Sequence, residues 1–324
     1  MRAVRCENYG PPSALRLREV PDPQVKPGNV VVAVSAAAVN FPDVLTIADQ
    51  YQVRVPLPFI PGSEFAGRVL SVGEGVTGLA PGDEVMGSTH HGAFCEQVAV
   101  PASALRPVPP GLSLTEAAAF GVTFSTAYHA LTTIGEMSPG DWVVVLGAAG
   151  GVGTAAVDLA VRLGARVIAA ASTPERVAIG REQGAEAGIA YDHEDLKARI
   201  REITGGAGAD VVVDPVGGPY SEQALRSVRW GGRFVCVGFA AGEIPRIPLN
   251  LVLLKGVQVR GFEIRTLAEH RPDEVARSWP ELAKLTAAGL RPRISDVLPL
   301  AEVVTALERV AARQAHGKIV VEMD

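Results

Sequence analysis

The sequence predicts an α/β protein with two domains, a β-barrel-like domain followed by a doubly wound parallel sheet. Residues 1 to about 121 carry short β-branched runs separated by Pro-Gly turns, which is typical of a small barrel of short strands. From about residue 122, continuous apolar runs alternate with helical stretches, which is typical of a parallel sheet covered by helices on both faces. A glycine-rich turn after the first of these later runs matches the first turn of a doubly wound fold.

The backbone preferences of proline and glycine predict turns in the first domain. Lys26–Asn29 and Ala80–Asp83 each hold a Pro-Gly pair. Proline presets φ at one turn position, and glycine allows positive φ at the next. Strand-like runs such as Val30–Val34 and Phe65–Val72 lie between these turns. We therefore expect a first domain over residues 1–121.

The second domain is predicted over residues 122–262 from six apolar runs. These runs are Trp142–Leu146, Arg166–Ala171, Gly188–Tyr191, Val211–Asp214, Phe234–Gly238 and Val257–Phe262. Helical stretches start between the first five of them, near Val152, Pro174, Glu194 and Tyr220. Six strands in this alternation match a doubly wound fold. The remainder, 263–324, holds an amphipathic helix (Ala301–Ala312) and a final strand (Lys318–Glu322), and we expect it to return to the first domain.

Composition narrows the class of protein. The 324 residues are 48% hydrophobic and 20% charged with a net charge of −5, so the chain is globular and lacks the basic surface that nucleic acids require. The N-terminal residues are charged, three cysteines are scattered, and no stretch reaches the roughly 20 apolar residues of a membrane span. We expect a cytoplasmic protein that binds neither membranes nor nucleic acid.

The most specific motif is the turn Gly147–Gly153 between a strand and a helix. Gly150 and Gly151 let the backbone approach a pyrophosphate, and Gly153 lets the helix pack on the strand. The helix N-terminus then offers free N–H groups to an anion. Ala148 stands where the fingerprint has its first glycine, and a purely structural turn is the alternative. The residues expected to contact the cofactor here are Ala149, Gly150, Gly151 and Val152.

The end of the second run indicates which cofactor binds. Enzymes that use NAD usually place an acid there to hold the ribose 2′-hydroxyl. This run ends without one, and Ser172 and Arg176 follow it, while Glu175 is expected to face away. A guanidinium and a hydroxyl can bind a 2′-phosphate. The sequence therefore favours NADPH, with a solvated Arg176 as the alternative.

No metal site is expected. His90, His91 and Cys95 are the nearest approach to a ligand set, but their spacing matches none of the usual zinc patterns. A surface loop explains them better. His129 lies in a helical stretch and is expected to be packed or solvated.

Four motifs together carry a resemblance to a known family. They are Val39–Asp43, Pro61–Gly67, Pro81–Val85 and the glycine-rich turn Gly147–Gly153. The chain resembles the zinc-free quinone oxidoreductases, of the zeta-crystallin type, within the medium-chain dehydrogenase/reductase superfamily. The resemblance covers nearly the whole chain. It implies a GroES-like β-barrel catalytic domain, a Rossmann cofactor domain, and a homodimer with a sheet edge paired across its two-fold axis.

The resemblance also bears on the metal. Zinc alcohol dehydrogenases of this superfamily carry Cys, then Gly-His-Glu, then another Cys as catalytic ligands. The matching positions here are Asn40–Asp43, Ser63-Glu64 and Val122, with neither Cys nor His. Without that metal no Lewis acid holds an alkoxide. The resemblance therefore implies hydride delivery from NADPH to an already polarised acceptor.

Several site residues are implied by the resemblance alone. Asn40 would lie beside the nicotinamide and the substrate oxygen, or it could simply cap a turn. Tyr191 would pack near the adenosine phosphate with Arg176, and Lys318 would reach the 2′-phosphate. The remaining cofactor contacts implied by the resemblance are Thr126, Phe239 and Phe262, although Phe262 could equally be core.

The catalytic residues implied are Tyr51, Asn40 and Asp43. In the related 2-enoyl thioester reductases the residue matching Tyr51 is the proposed proton donor, and a phenol could protonate the enolate left by hydride addition. A structural tyrosine with a wet hydroxyl is the alternative. Asp49 stands where these families often have glycine, so the segment carrying Tyr51 could be placed differently.

Three functions remain open from the sequence. The first is an NADPH-dependent reductase of quinones or enones. The second is a 2-enoyl thioester reductase, and the third is an NADPH-binding protein with little catalysis, as zeta-crystallin is in lenses. Acceptor specificity depends on the shape of the pocket, which the sequence does not reveal.

Overall fold

The computed structural model describes residues 1–323 and divides them into two compact units. Unit 1 holds residues 1–122 and the chain from residue 285 onward, and unit 2 holds residues 123–284. The sequence predicts the return to the first domain at residue 263. In the structure, residues 264–284 belong to unit 2, and the return starts about twenty residues later.

The helices and strands follow one another in three stretches. The first holds β1 (Arg2–Arg5), β2 (Arg16–Glu19), β3 (Asn29–Val39), α1 (Phe41–Ile47), β4 (Glu64–Val72), β5 (Glu84–Ser88), β6 (Gln97–Pro101), β7 (Leu105–Pro107) and α2 (Leu114–Ala118). The second holds α3 (Gly121–His129), β8 (Trp142–Leu146), α4 (Gly151–Arg162), β9 (Arg166–Ala171), α5 (Pro174–Glu182), β10 (Ala187–Ala190), α6 (Leu196–Ile203), β11 (Ala209–Asp214), α7 (Pro219–Ser227), β12 (Val228–Cys236), α8 (Leu249–Lys255), β13 (Gln258–Gly261), α9 (Ile264–His270) and α10 (Pro272–Ala287). The third holds β14 (Ile294–Pro299), α11 (Val303–Ala311) and β15 (Lys318–Glu322).

Unit 1 is built on a seven-stranded sheet in the order β14-β15-β3-β4-β5-β7, with β6 paired to β3. Its pairs are antiparallel except β14 with β15. The long strand β3 therefore bonds with three neighbours, and Val30, Val32 and Val34 point one way into the core, as alternation in a strand requires. Gly67 on β4 allows the close approach to β3, since a Cβ there would lie 1.9 Å from the carbonyl oxygen of Ala33.

Unit 2 is a six-stranded parallel sheet in the order β10-β9-β8-β11-β12-β13. The order reverses between β8 and β11, which is where a doubly wound fold binds its ligand. Strand β8 is buried along its whole length, because helices cover both faces of the sheet. All six strands that the sequence predicts are present, as are the final strand β15 and the helix α11. The predicted α/β fold is confirmed.

Two arginines hold the segment that follows α3. This helix continues as a π-helical turn over Ala130–Ile134. Arg233, on β12, donates to the carbonyl oxygens of Gly135 and Glu136 at 2.7 Å each. Arg260, on β13, donates to the carbonyl oxygen of Ile134 at 2.7 Å. The carbonyls that a helix leaves unpaired at its end are thus satisfied by guanidinium groups.

Among the described residues 1–323, no helix combines the length and the apolar character needed to cross a membrane.

Candidate active site

The glycine-rich turn of unit 2 lies at the carboxyl end of β8. Gly147 has a φ of +60°, and Gly150 is the N-cap of α4. A Cβ on Gly153 would lie 2.0 Å from the carbonyl oxygen of Gly147, so only glycine permits this packing of helix on strand. A Cβ on Gly150 would meet nothing nearer than that same oxygen, at 3.4 Å. The space in front of the helix N-terminus is therefore open to an anion.

The structure explains why Ala148 is tolerated where the fingerprint has glycine. Ala148 is fully buried, and its φ is not among the positive values of the chain. The turn needs positive φ at Gly147, one residue earlier, so no glycine is required at position 148. Ala149, Gly150, Gly151 and Val152 lie together at this turn, and the geometry fits the pyrophosphate of a dinucleotide.

The carboxyl ends of β9 and β10 are tied to each other by their backbones. The N–H of Tyr191 donates to the carbonyl oxygen of Ala171 at 2.9 Å, and the N–H of Asp192 donates to that of Ser172 at 3.3 Å. Arg176, in the first turn of α5, is half-buried, and its charge acts on the phenol of Tyr191. The structure thus brings Ser172, Arg176 and Tyr191 together.

Glu175, the acid that follows β9 in the first turn of α5, is turned toward its own helix. Its pKa is lowered by hydrogen bonds from the side chain of Thr173 and from its own backbone N–H. An acid that caps the first turn of α5 is held by the helix dipole. This agrees with the expectation that Glu175 faces away from the end of β9.

An aromatic pair that the sequence did not single out lies beside Tyr191. The ring centroids of Tyr191 and Tyr220 are 4.1 Å apart with an interplanar angle of 39°. The hydroxyl of Tyr220 donates to Asp192. Burial raises the pKa of Tyr191 to about 12, so its phenol stays neutral and able to donate. Position alone could have signalled Tyr220, since it follows the Gly-Gly-Pro turn after the fourth parallel strand.

The other expected cofactor contacts in unit 2 are more dispersed. Thr126 is buried on α3, Phe239 is exposed after β12, and Phe262 is half-buried after β13. The ring of Phe239 covers Gly217, where an added Cβ would lie 2.8 Å from Phe239 Cδ1. Phe239 and Phe262 therefore stand at the carboxyl ends of neighbouring strands, the side of a parallel sheet where ligands bind.

Unit 1 contains a buried polar network around Lys318. The ammonium of Lys318, on β15, is 4% exposed. It donates to Asn40 Oδ1 at 2.6 Å, to Glu64 Oε2 at 3.2 Å and to the carbonyl oxygen of Val39 at 3.2 Å. Glu64 Oε1 accepts the N–H of Val122 at 2.6 Å. Each of the three ammonium protons thus has an acceptor, as a buried charge requires.

This network corrects the role expected of Lys318. The resemblance implies that Lys318 reaches the 2′-phosphate of the cofactor. Its side chain instead points into the core of unit 1 and forms an ion pair with Glu64, whose side chain is 2% exposed. Leaving Glu64 unpaired in the core would cost several kcal/mol, roughly 3–5. Lys318 is therefore a structural cation of unit 1.

The network also fixes Asn40 and corrects its expected role. Asn40 Oδ1 faces the ammonium of Lys318, and Nδ2 donates to Glu64 Oε2 at 3.2 Å and to Ser63 Oγ at 3.4 Å. A flipped amide would place its NH₂ against the ammonium and its oxygen against the carboxylate. Since both ends of the amide are occupied and the residue is 7% exposed, Asn40 holds the site together and is not placed to bind a substrate oxygen.

Asp43 is likewise a buried structural acid. Its Oδ2 accepts the N–H of Asn40 at 2.8 Å, so it closes the first turn of α1. Burial raises the pKa of Asp43 to about 6, against the lowering effect of hydrogen bonds from Asn40 and Ser63 and of the Lys318 charge. At 3% exposure, the expected catalytic role of Asp43 is not supported.

Tyr51 is the most accessible of the three residues expected to be catalytic. It is half-buried in the irregular segment after α1. Asp49, just before it, has a φ of +56°, the left-handed conformation that glycine adopts without strain. The Asp49 carboxylate pairs with Arg54 at 3.2 Å, and Arg54 lines a cavity of about 370 Å³ with Tyr9, Pro56 and Leu57. The aspartate thus adopts the conformation that glycine would take.

The residues considered as metal ligands do not converge. Cys95 is buried, and its thiol donates to the carbonyl oxygens of Gly92 and Gln97 at 3.0 Å each. The His91 ring stacks edge-on against Phe59 at 5.8 Å. Within residues 1–323, no group of three or more His, Cys, Asp or Glu side chains is arranged to hold a metal ion.

The fold of each unit and the geometry of the glycine-rich turn define a dinucleotide-binding protein of the dehydrogenase type. Two family models match the chain. The alcohol dehydrogenase GroES-like domain matches residues 26–110, and the zinc-binding dehydrogenase domain matches residues 151–285.

Curated relatives and solved structures narrow the class. The quinone oxidoreductase-like protein 2 homologue of Nematostella vectensis is 37% identical over 99% of this chain and 88% of its own length. The quinone oxidoreductase of Thermus thermophilus, solved also in complex with NADPH, is 36% identical with a TM-score of 0.85, over 99% of this chain and 100% of that one. The chain belongs to the quinone oxidoreductase-like branch of the medium-chain dehydrogenase/reductase superfamily.

Two further similar proteins have names that indicate other activities. A solved NAD-dependent alcohol dehydrogenase is 32% identical with a TM-score of 0.92, over the whole of both chains. A mycocerosic acid synthase-like polyketide synthase of Mycobacterium tuberculosis is 30% identical over 92% of this chain, which spans only 14% of that protein. Similarity alone therefore fixes neither the cofactor nor the acceptor.

Proposed function

We propose that this oxidoreductase uses NADPH, without zinc, to deliver hydride to a quinone or an α,β-unsaturated carbonyl compound. The observation that carries the proposal is the group formed by Ser172, Arg176 and Tyr191, with Glu175 turned toward its own helix. A guanidinium beside two neutral hydroxyls suits a phosphate dianion better than a ribose hydroxyl. The NADPH complex of the Thermus thermophilus relative supports the same cofactor.

The chain's own residues bind and orient this cofactor, which supplies the hydride. The open N-terminus of α4 and the turn through Ala149–Val152 would hold the pyrophosphate. Arg176 would donate to the 2′-phosphate, and Thr126, Phe239 and Phe262 would border the nicotinamide end. One guanidinium and neighbouring neutral hydroxyls thus offer donors to the phosphate, while Glu175 is turned toward its own helix.

Zinc independence is supported by what fills the matching ligand positions. Asn40, Glu64 and Val122 are joined by the buried network of Lys318. An ammonium in contact with the only carboxylate of that set, Glu64, opposes a second cation there. Acceptors that are already polarised need no Lewis acid, which favours quinones and enones over alcohols.

We propose Tyr51 as the proton donor to the reduced acceptor. Asn40 and Asp43 are buried and engaged, whereas Tyr51 is partly exposed. A phenol can protonate an enolate directly or through one water.

A 2-enoyl thioester reductase is the second candidate function, because the chain also matches a segment of a polyketide synthase. The cavity lined by Tyr9, Arg54, Pro56 and Leu57 offers one cation for an anionic carrier arm. That cation is already paired with Asp49, which makes quinones and enones the better-supported acceptors.

Steady-state turnover tests both functions. The purified protein should oxidise NADPH with quinones or enones and prefer NADPH to NADH in kcat/KM, and its rate should be unchanged after dialysis against a chelator. Faster turnover of enoyl-CoA than of any quinone or enone would support the second function. Binding of NADPH with no turnover of any acceptor would support a weakly catalytic, crystallin-like role. One zinc per chain by elemental analysis, lost together with activity, would refute zinc independence.

We propose a homodimer in a reducing, cytoplasmic compartment. Strand β13 pairs only with β12 and leaves an open edge, and the nearby helix α8 exposes Leu249, Leu253 and Leu254. An open edge beside an apolar helix is the kind of surface that a second copy covers. The three cysteines are free thiols, which suits a reducing compartment.

A further inference from the structure

Tyr191 belongs to the group that would bind the 2′-phosphate, but its aromatic neighbour Tyr220 has no role in that binding. Tyr191 follows β10, and Tyr220 is the second residue of α7. Their ring centroids lie 4.1 Å apart, so the ring of Tyr220 packs directly against that of Tyr191. Rings this close fix each other's orientation, because rotation of either would force the other to move.

Tyr220 also controls a carboxylate at this site. Its hydroxyl donates to Asp192 Oδ1, and Asp192 is the residue whose N–H donates to the carbonyl oxygen of Ser172. Asp192 is exposed, so its side chain has no packing of its own to hold it. Without the phenol, the carboxylate could rotate about χ1 and approach Arg176, where it would compete with a phosphate for the guanidinium.

We propose that Tyr220 is a positioning residue for the 2′-phosphate end of the cofactor, which holds the Asp192 carboxylate in place and fixes the ring of Tyr191. The proposal rests on the proposed function, since it concerns the preference for NADPH over NADH. Tyr220 touches neither phosphate nor nicotinamide in this role. It acts through Asp192, whose charge matters only to a ligand that carries the extra phosphate.

The chemistry of Tyr220 suits this task. The hydrogen bond to Asp192 raises the pKa of Tyr220 to about 12, so the phenol remains a donor at neutral pH. A neutral donor on a carboxylate satisfies its lone pairs without adding a second cation beside Arg176. The carboxylate therefore stays where the phenol holds it.

Binding measurements without turnover test the proposal. The dissociation constants of NADPH, NADH and adenosine 2′,5′-bisphosphate are measured by calorimetry for wild type, Tyr220→Phe, Asp192→Asn and the double variant. Tyr220→Phe keeps the stacked ring and removes only the hydroxyl. It should raise the dissociation constants of NADPH and the bisphosphate about threefold to tenfold and leave that of NADH unchanged. An effect of this size is expected from one negative charge that comes a few ångströms closer to the phosphate.

The double variant separates positioning from packing. If Tyr220 acts through the charge of Asp192, Tyr220→Phe should have no further effect once Asp192 is asparagine, which is a coupling between the two sites. Tyr9→Phe is the matched control, because it removes a phenol that donates to Val55 in unit 1 and should alter no dissociation constant.

The outcomes distinguish this inference from the proposed function. Wild type that binds NADH as tightly as NADPH would refute the choice of cofactor and with it the basis of the inference. Wild type that prefers NADPH, with Tyr220→Phe unchanged or with all three ligands weakened equally, would overturn the role of Tyr220 alone. An undiminished effect of Tyr220→Phe in the Asp192→Asn background would overturn the route through Asp192.

Discussion

At the residue scale, the charge on Arg176 should decide the preference between the two nicotinamide cofactors. Arg176→Ala removes one or two charge-assisted hydrogen bonds to the 2′-phosphate, each worth about 1.5–3 kcal/mol. The KM for NADPH should rise roughly tenfold to a hundredfold while that for NADH hardly changes. Steady-state kinetics with both cofactors measures this. Arg181→Ala is the control on the same helix, since its guanidinium is bonded to the carbonyl oxygen of Ala185. Equal damage to both cofactors would contradict the assignment.

The hydroxyl of Tyr51 should matter more for enones than for quinones. A quinone reduced by hydride leaves a stable hydroquinone anion that water can protonate, whereas an enone leaves a more basic enolate. Tyr51→Phe should therefore lower kcat with an enone up to ~10²-fold and affect a quinone less. Comparing both acceptors at saturating NADPH measures the difference. Equal effects on both would show that Tyr51 only shapes the pocket.

Ionisation of Asp43 should make the protein less stable as pH rises. Its folded pKa of about 6 lies above the ordinary value of 3.8, so its contribution is fully present below pH 3.8 and is lost as pH rises through 6. Asp43→Asn should gain stability relative to wild type between pH 4 and pH 7.5, by up to about 3 kcal/mol. Denaturant unfolding at several pH values measures the trend. Glu96→Gln should show the opposite sign, because Arg2 lowers the pKa of Glu96. A flat difference for Asp43→Asn would contradict the buried, protonatable state of Asp43.

The sequence predicted that Ser172, Arg176 and Tyr191 lie together, as they do in the structure, but it misplaced Lys318. Ser172, Arg176 and Tyr191 follow strands that are adjacent in the sheet, as the second and third strands of a doubly wound fold are. Lys318 is bonded to Asn40 and Glu64, residues that are 278 and 254 positions away in the sequence. A lysine at the start of an apolar strand is usually exposed, and only the tertiary pairing with Glu64 draws this one into the core.

At the scale of elements, Arg233 should be essential to the end of the helical segment after α3. It is 8% exposed and bonds the carbonyl oxygens of Gly135 and Glu136 and the carboxylate of Asp141, the last at 3.1 Å. Arg233→Met leaves two carbonyl oxygens without this donor and Asp141 without its ion-pair partner, so it should destabilise unit 2 by about 3–5 kcal/mol. Denaturant unfolding measures this. Arg260→Met removes a more exposed guanidinium, so it should lower the free energy of unfolding clearly less than Arg233→Met does. Equal losses of stability in the two variants would contradict the role of burial.

The helices and strands were predictable where one hydrophobic pattern extended over the whole element. Strand β8 and its neighbours are continuous apolar runs, a pattern typical of strands buried on both faces of a sheet. The sequence therefore predicted all six strands of unit 2. The sequence did not show to which unit residues 263–284 belong. Helices α9 and α10 follow the sixth strand, and their amphipathic pattern shows that one face is buried but not which unit buries it. The boundary therefore moved to residue 285 only once the packing was known.

At the scale of the whole molecule, helix α8 should hold two copies together. Leu253 is 81% exposed and Leu254 71% exposed, on the helix that precedes the edge strand β13. The double variant Leu253→Glu with Leu254→Glu should be monomeric by light scattering at micromolar concentration, where wild type should be a dimer. Leu70→Glu, at an exposed position of β4 in unit 1, should remain dimeric. A monomeric wild type would refute the dimer outright.

The position of β15 governs the order in which a ribosome can complete the two units. This strand lies between β14 and β3 and carries Lys318, so residues 1–122 emerge with the Ala36–Val39 end of β3 lacking one partner and with Glu64 lacking its cation. Unit 2 is encoded in between and can close before the last forty residues exist. During that interval the nascent first unit presents an unpaired strand, the kind of surface on which chaperones act and neighbouring chains join. Completion of unit 1 therefore waits until unit 2 has been synthesised and β15 has emerged.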